Sequence, residues 1–108
     1  VKAIVYRVQP AGAKLHGKRS RTSGDEFVNG VFVFSGFGSI GLGDFPSLWR
    51  NVELVKIVCD EKDLWDPGDV QGYVLRRGKG KIVERIAFKT LWRLREWVES
   101  LQKLGLEW

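Results

Sequence analysis

The chain has no methionine, one cysteine, one histidine and three prolines. Each shortage closes a class of chemistry. Cys59 alone cannot make an intrachain disulfide, which fits a reducing, cytoplasmic setting. One cysteine and one histidine, His16, cannot complete a structural zinc site within a monomer. They also offer no spacing at which an oriented base would meet a nucleophile. No apolar run reaches the about 18 residues of a membrane-spanning helix, and no charged-then-apolar leader opens the chain. Asparagine occurs twice and glutamine three times, beside 29% charged residues. That scarcity of thermolabile side chains is a composition found in heat-stable proteins.

What is present describes a folded domain. At 108 residues, 44% hydrophobic and 12% aromatic, the chain has material for one core and not for two. Its charge is unevenly laid out. Residues 1–24 hold six basic and no acidic side chains, residues 44–69 three basic and seven acidic, and residues 76–95 eight basic and one acidic. Two basic segments around an acidic middle predict a polarised surface that attracts a polyanion; a merely solvated, biased surface is the plainer reading.

Val70–Leu75 and Lys81–Phe88 are rich in β-branched and aromatic residues and bracket Arg76-Arg77-Gly78-Lys79-Gly80. The pattern predicts a β-hairpin with a positively charged tip. Thr90 then caps a helix whose apolar face holds Leu91, Leu94, Trp97, Val98, Leu101 and Leu104, with Gly105 as its stop. Trp92 falls on the polar side, with Glu96 and Glu99 as neighbours, either exposed as a partner-binding anchor or folded over a neighbouring loop. Earlier strands are predicted at Ala3–Val8, Gly30–Phe34 and Val52–Cys59, the second apolar enough to be covered on both faces. Asp44 is placed to cap a short helical turn through Pro46 and Trp49. Asp66-Pro67-Gly68-Asp69 fits a type II turn. The expected architecture is one α+β domain over residues 1–108. It is a mainly antiparallel sheet of four or five strands with the C-terminal helix packed on one face.

Several motifs compete for a function. Gly36-x-Gly38-x-x-Gly41 follows a strand, with Asp60 about twenty residues on, as in a dinucleotide-binding fingerprint. Gly41, Gly43 and Pro46 spoil the helix that this motif should open, so a glycine-rich loop packed on the core is the favoured reading. Asp60, Glu61, Asp63, Asp66 and Asp69 lack the pattern of a calcium loop, so no metal site is assigned. Cys59, in an apolar run, reads as a core residue.

Val5-Tyr6-Arg7-Val8, the polar segment around His16, Gly30–Phe34, and Gln71–Gly78 leading into Lys81-Ile82-Val83 together resemble small ADP-ribosyltransferase-like domains. The resemblance implies a nicotinamide dinucleotide held by an early-strand side chain, here Arg7. It also implies a catalytic glutamate on a late strand before a glycine turn. That position falls near Gln71 or Tyr73, neither of which can do the work, and Glu84 sits on the wrong arm. The implied protein is NAD-binding, active or decayed.

The basic loops carry the leading reading. Lys14, Lys18, Arg19 and Arg21 form one cluster and Arg76, Arg77, Lys79 and Lys81 the other; such loops bring mobile donors and close backbone to phosphates. The sequence therefore predicts a small basic binding module, without cofactor or identifiable reaction, whose partner is nucleic acid or a protein–nucleic-acid complex. The ADP-ribosyltransferase-like reading is one alternative. A protein-binding inhibitor or adaptor docking through Trp92 and the acidic 60–69 loop is another.

Overall fold

The computed structural model describes residues 1–15, 30–43, 45–46, 48–66, 68 and 72–108. Alternating β-branched residues produce the expected strands, extending those begun at Ala3, Val52 and Lys81, and a further short strand forms at Leu64–Trp65 in the stretch expected to be an acidic loop. They are β1 (Lys2–Pro10), β2 (Gly30–Phe34), β3 (Arg50–Asp60), β4 (Leu64–Trp65), β5 (Gly72–Arg76) and β6 (Lys81–Thr90). The sheet is antiparallel, in the order β4-β5-β2-β1-β3-β6, with α1 (Leu91–Lys103) following β6 directly. The α+β expectation holds, with six strands rather than four or five.

The main correction concerns the hairpin. β5 pairs with β2 and β4, and β6 pairs with β3, so the two predicted arms are not neighbours in the sheet. In a flat sheet they would stand four strand spacings, about 19 Å, apart. The connection cannot reach that far. Lys79 N donates to Arg76 O at 3.1 Å, closing a turn of less than about 7 Å, and two more residues add at most about 7 Å. The sheet must therefore curl so that β5 lies near the start of β6. Gly80 marks where they meet. It sits at φ 80°, where a Cβ would come 2.8 Å from Leu75 Cδ2 and 3.1 Å from Ile57 Cγ2.

Curling divides the apolar residues into two cores. Inside the curl, Val5, Val31, Val33, Val55, Ile57, Cys59 and Leu75 pack together. Burial pushes the Cys59 thiol above its ordinary pKa, as do Asp63 and Asp60, as suits a core cysteine. On the outer face, Tyr6, Val8, Phe34, Val52 and Leu54 pack under Leu91, Leu94 and Val98 of α1. β2 contributes to both cores, which is why it reads as apolar throughout. The helix starts as expected, with the Thr90 hydroxyl accepting from Arg93 N at 3.2 Å. It ends in a Schellman arrangement, Leu106 N to Leu101 O at 2.9 Å and Gly105 N to Gln102 O at 3.1 Å. Because the chain turns away there, Leu104 is 71% exposed instead of joining the apolar face. Among the described residues no helix is long and apolar enough to cross a membrane.

The tail returns over the outer core. The Tyr6 hydroxyl donates to Trp108 O at 2.6 Å, Trp108 packs edge-on against Trp97, and Lys56 Nζ lies 5.1 Å from the centre of the Trp108 ring.

Two stability predictions follow from this packing. A Cβ at Gly72 would run into the carbonyl oxygen of Val33 in the facing strand, so Gly72→Ala is expected to cost about 3 kcal/mol. At Gly38 a Cβ meets nothing within 4 Å, and Gly38→Ala is expected to stay within about 0.5 kcal/mol of wild type; urea midpoints measure both. Tyr6 has its pKa raised above 10.0, by burial first and then by Glu107 and Glu84. The folded state thus favours the protonated phenol. Its contribution is complete below the ordinary tyrosine pKa and is lost as pH rises through the raised one. An absorbance titration should show a late tyrosinate that disappears in Tyr6→Phe, together with a shallower alkaline loss of stability in that variant.

Candidate functional site

Leu75 is fully buried and Arg76, the next residue, is exposed. Gly78 and Gly80 both take φ 80°, a region open to glycine at little cost, and the turn between Arg76 and Lys79 is hydrogen-bonded. Arg76, Arg77, Lys79 and Lys81 consequently project from a crossover whose stem is held in the inner core at Leu75 and Gly80. The four predicted cations do come together, on a crossover rather than on a hairpin tip. Arg76, Arg77 and Lys81 make no ion pair among the described residues. The nearest acid in register is Asp63, one residue before Leu64, which pairs with Leu75 just ahead of Arg76; at the end of β3, Asp60 lies 3.9 Å from the Val1 ammonium and faces Lys2 across the ladder. A hydrogen bond from Lys62 N leads the causes that hold the Asp60 carboxyl below its ordinary pKa.

Of the other basic cluster, Lys14 is exposed, while Lys18, Arg19 and Arg21, with His16, lie outside the described residues. Lys14 follows a pinned residue. Ala13 O accepts from Gln9 Nε2 at 2.8 Å and from Arg85 NH1 at 3.2 Å. Both donors also reach Glu53 Oε2, Gln9 Nε2 at 2.8 Å and Arg85 NH1 at 2.6 Å. Gln9 and Glu53 are 2% and 3% exposed, so a carboxylate sits buried in β3 with its charge met by β6. Sequence reading missed Glu53. Its only signal was a carboxylate inside an apolar run, and its partner lies 32 residues further along.

Arg7 stands at the splay between β1 and β2, whose ladder registers only Tyr6 with Phe34. Arg7 NH1 donates to Phe32 O at 2.9 Å, while its buried Nε has no hydrogen-bond partner. Burial pulls its pKa below the ordinary arginine value. The guanidinium holds a backbone carbonyl that a longer ladder would have served.

Trp92 is 54% exposed, on the first turn of α1. Arg50 faces Thr90, two residues before Trp92, across the ladder, and Arg50, Lys89 and Arg93 are exposed at this end of β6. The acidic residues 60–63 lie at the far end of β3 from Arg50, a span of about 33 Å for an eleven-residue strand. Trp92 and the acidic stretch therefore stand about a strand's length apart.

The Gly36–Gly41 motif takes a structural role. It carries a three-residue 3₁₀ turn, Phe37–Ser39, with Phe37 buried, and Gln102 Nε2 donates to Phe37 O and Ile40 O at 3.0 and 3.1 Å. Among the described residues no longer helix opens there to receive a pyrophosphate. A cavity of about 400 Å³, lined by residues that include Ala3, Val5, Ser35, Glu61, Leu64 and Tyr73, opens beside the inner core, and none of those lining residues is basic. Comparison of the chain with protein-family models, curated proteins and solved structures returns no match.

The Glu53 cluster yields a prediction. Arg85→Ala leaves a buried carboxylate with one neutral donor and is expected to cost about 2–4 kcal/mol, the lower part of the range reflecting the partial exposure of Arg85. Glu53→Gln in the same chain should recover part of that loss. The double-mutant cycle by denaturant melts should give a coupling of about 1–3 kcal/mol; additive losses would show that the contact carries no net coupling.

Proposed function

We propose that this chain is a small basic binding module that takes a polyanion, nucleic acid, on the β5–β6 crossover. The observation that carries the reading is the crossover itself. Four exposed cations extend from a stem anchored in the core, and Arg76, Arg77 and Lys81 are in no ion pair among the described residues. Cations left without internal partners release counterions when phosphates replace water around them. Glycines between them let backbone N–H groups approach the same phosphates. Lys14, beside the mid-β6 network, adds charge along the same strand.

An enzymatic reading built on Arg7 has less support, because that guanidinium is committed to Phe32 O. An adaptor reading that joins Trp92 to the acidic stretch would need a partner reaching across the length of β3.

Neutralising the crossover tests the proposal. Arg76→Gln, Arg77→Gln and Lys79→Gln in one chain should weaken binding of a labelled oligonucleotide, followed by anisotropy, at least tenfold at low salt. The logarithmic salt slope should fall by about one for each phosphate contact removed. Thermal stability should hold, since all three side chains lie on the surface. Equal affinity for the variant and the wild type would overturn the proposal, as would binding that ignores salt.

A further inference from the structure

We infer, resting on the nucleic-acid reading above, that the ligand is a single strand running along β6, with its phosphates on the crossover cations at one end and a base stacked on Trp92 at the other. The argument begins with Trp92. It is more than half exposed and makes no ring contact among the described residues, whereas Trp97 and Trp108 pack against the outer core. At the same end of β6, where Arg50 faces Thr90 across the ladder, Arg50, Lys89 and Arg93 are exposed and in no ion pair among the described residues. A shallow hollow of about 290 Å³ beside them has Ala87, Phe88, Lys89 and Arg93 in its wall. Glu96, one helical turn beyond Trp92, is its exposed neighbour on the same helix face, so the cations lie on the strand side of the ring.

An exposed aromatic face with cations on its strand side matches a base and the phosphate that precedes it. Stacking on such a face tolerates any base, because every base has a π-face. A duplex keeps those faces covered along its length, so the pair of features selects an unpaired strand.

The distance between the two patches sets the footprint. From Lys81 to Lys89, β6 advances about 26 Å, which a stacked strand covers with about eight nucleotides at roughly 3.4 Å each. Between the ends, Glu53 is held by Arg85 at 2.6 Å and Glu84 by Lys56 at 3.5 Å. Both carboxylates along the path thus already have cations of their own.

The test uses the full chain and labelled oligothymidylates of four and eight nucleotides, with an eight-base-pair duplex as comparison. Trp92→Ala should weaken binding of the eight-nucleotide strand roughly tenfold and leave its salt slope unchanged, because no phosphate contact is lost. Trp92→Phe should restore most of the affinity. The four-nucleotide strand, too short to join the patches, should bind weakly and respond to the crossover or to Trp92, not to both. If Trp92→Ala binds as wild type, or the duplex binds more tightly than the strand, this inference fails while the crossover proposal stands. If the wild type binds none of the three, both fail.

Discussion

The fold turns on the joint between β1 and β2, where the ladder registers a single pair, Tyr6 with Phe34. Had the ladder continued, β2 would have stayed in plane, and β5, hydrogen-bonded to it, would have been held far from β6. Because β2 leaves β1 there, it carries β5 over Val5, Val55 and Ile57 and closes the inner core. Only then can a four-residue connection join Arg76 to Lys81. The departure costs a backbone partner at Phe32, and Arg7 supplies the missing donor. A half-buried arginine with an unpartnered Nε is an expensive solution by ordinary measures. It is tolerated because the apolar surface closed by the curl is much larger than one unmade hydrogen bond.

The second dependence is on β6, a ten-residue strand at the edge of the sheet. Long edges invite pairing with other chains, and charge and bulges are the usual defences. Both are present. Lys81, Glu84, Arg85 and Lys89 punctuate the strand, and its register shifts beside Lys56 and Ile57. The two carboxylates in the middle of this strand pair are matched by Lys56 and Arg85, and the exposed cations lie toward its two ends, with Asp63 in register with Arg76 at one of them. One arrangement can thus discourage strand pairing and offer a polyanion two points of attachment. The Glu53–Arg85 contact contributes to both, since it also fixes Ala13 beside the middle of β6.

Local signals were read correctly where the physics is local. Thr90 caps α1 and the Schellman turn ends it; β2 is covered on both faces; Cys59 is in the core. Each depends on residues within a few positions of one another, or on burial that apolar composition already implies. The hairpin misreading has the same origin. Two β-rich runs around a glycine turn look alike whether the strands pair with each other or part across a core, because the turn chemistry is identical and the partners are distant. Leu104 was placed on the apolar face by periodicity, which does not record that the chain turns away after Lys103. Glu53 and Arg85 were out of reach because nothing in either neighbourhood names the other.

By itself the sequence determined the chemistry available and most of the elements: a basic, single-cysteine chain, its long strands, one capped amphipathic helix, a run of cations between two β-rich segments, and a tryptophan on the polar side of that helix. The tertiary structure decided which of these meet. It turned the charged turn into a crossover and set Trp92 and Arg50 at the other end of β6, about a strand's length from the acidic stretch. The reason is that strand order depends on where the sheet bends, and the bend comes from closing an inner core with residues of β1, β2, β3 and β5. No single segment contains the information for that choice; it resides in how well distant apolar faces pack.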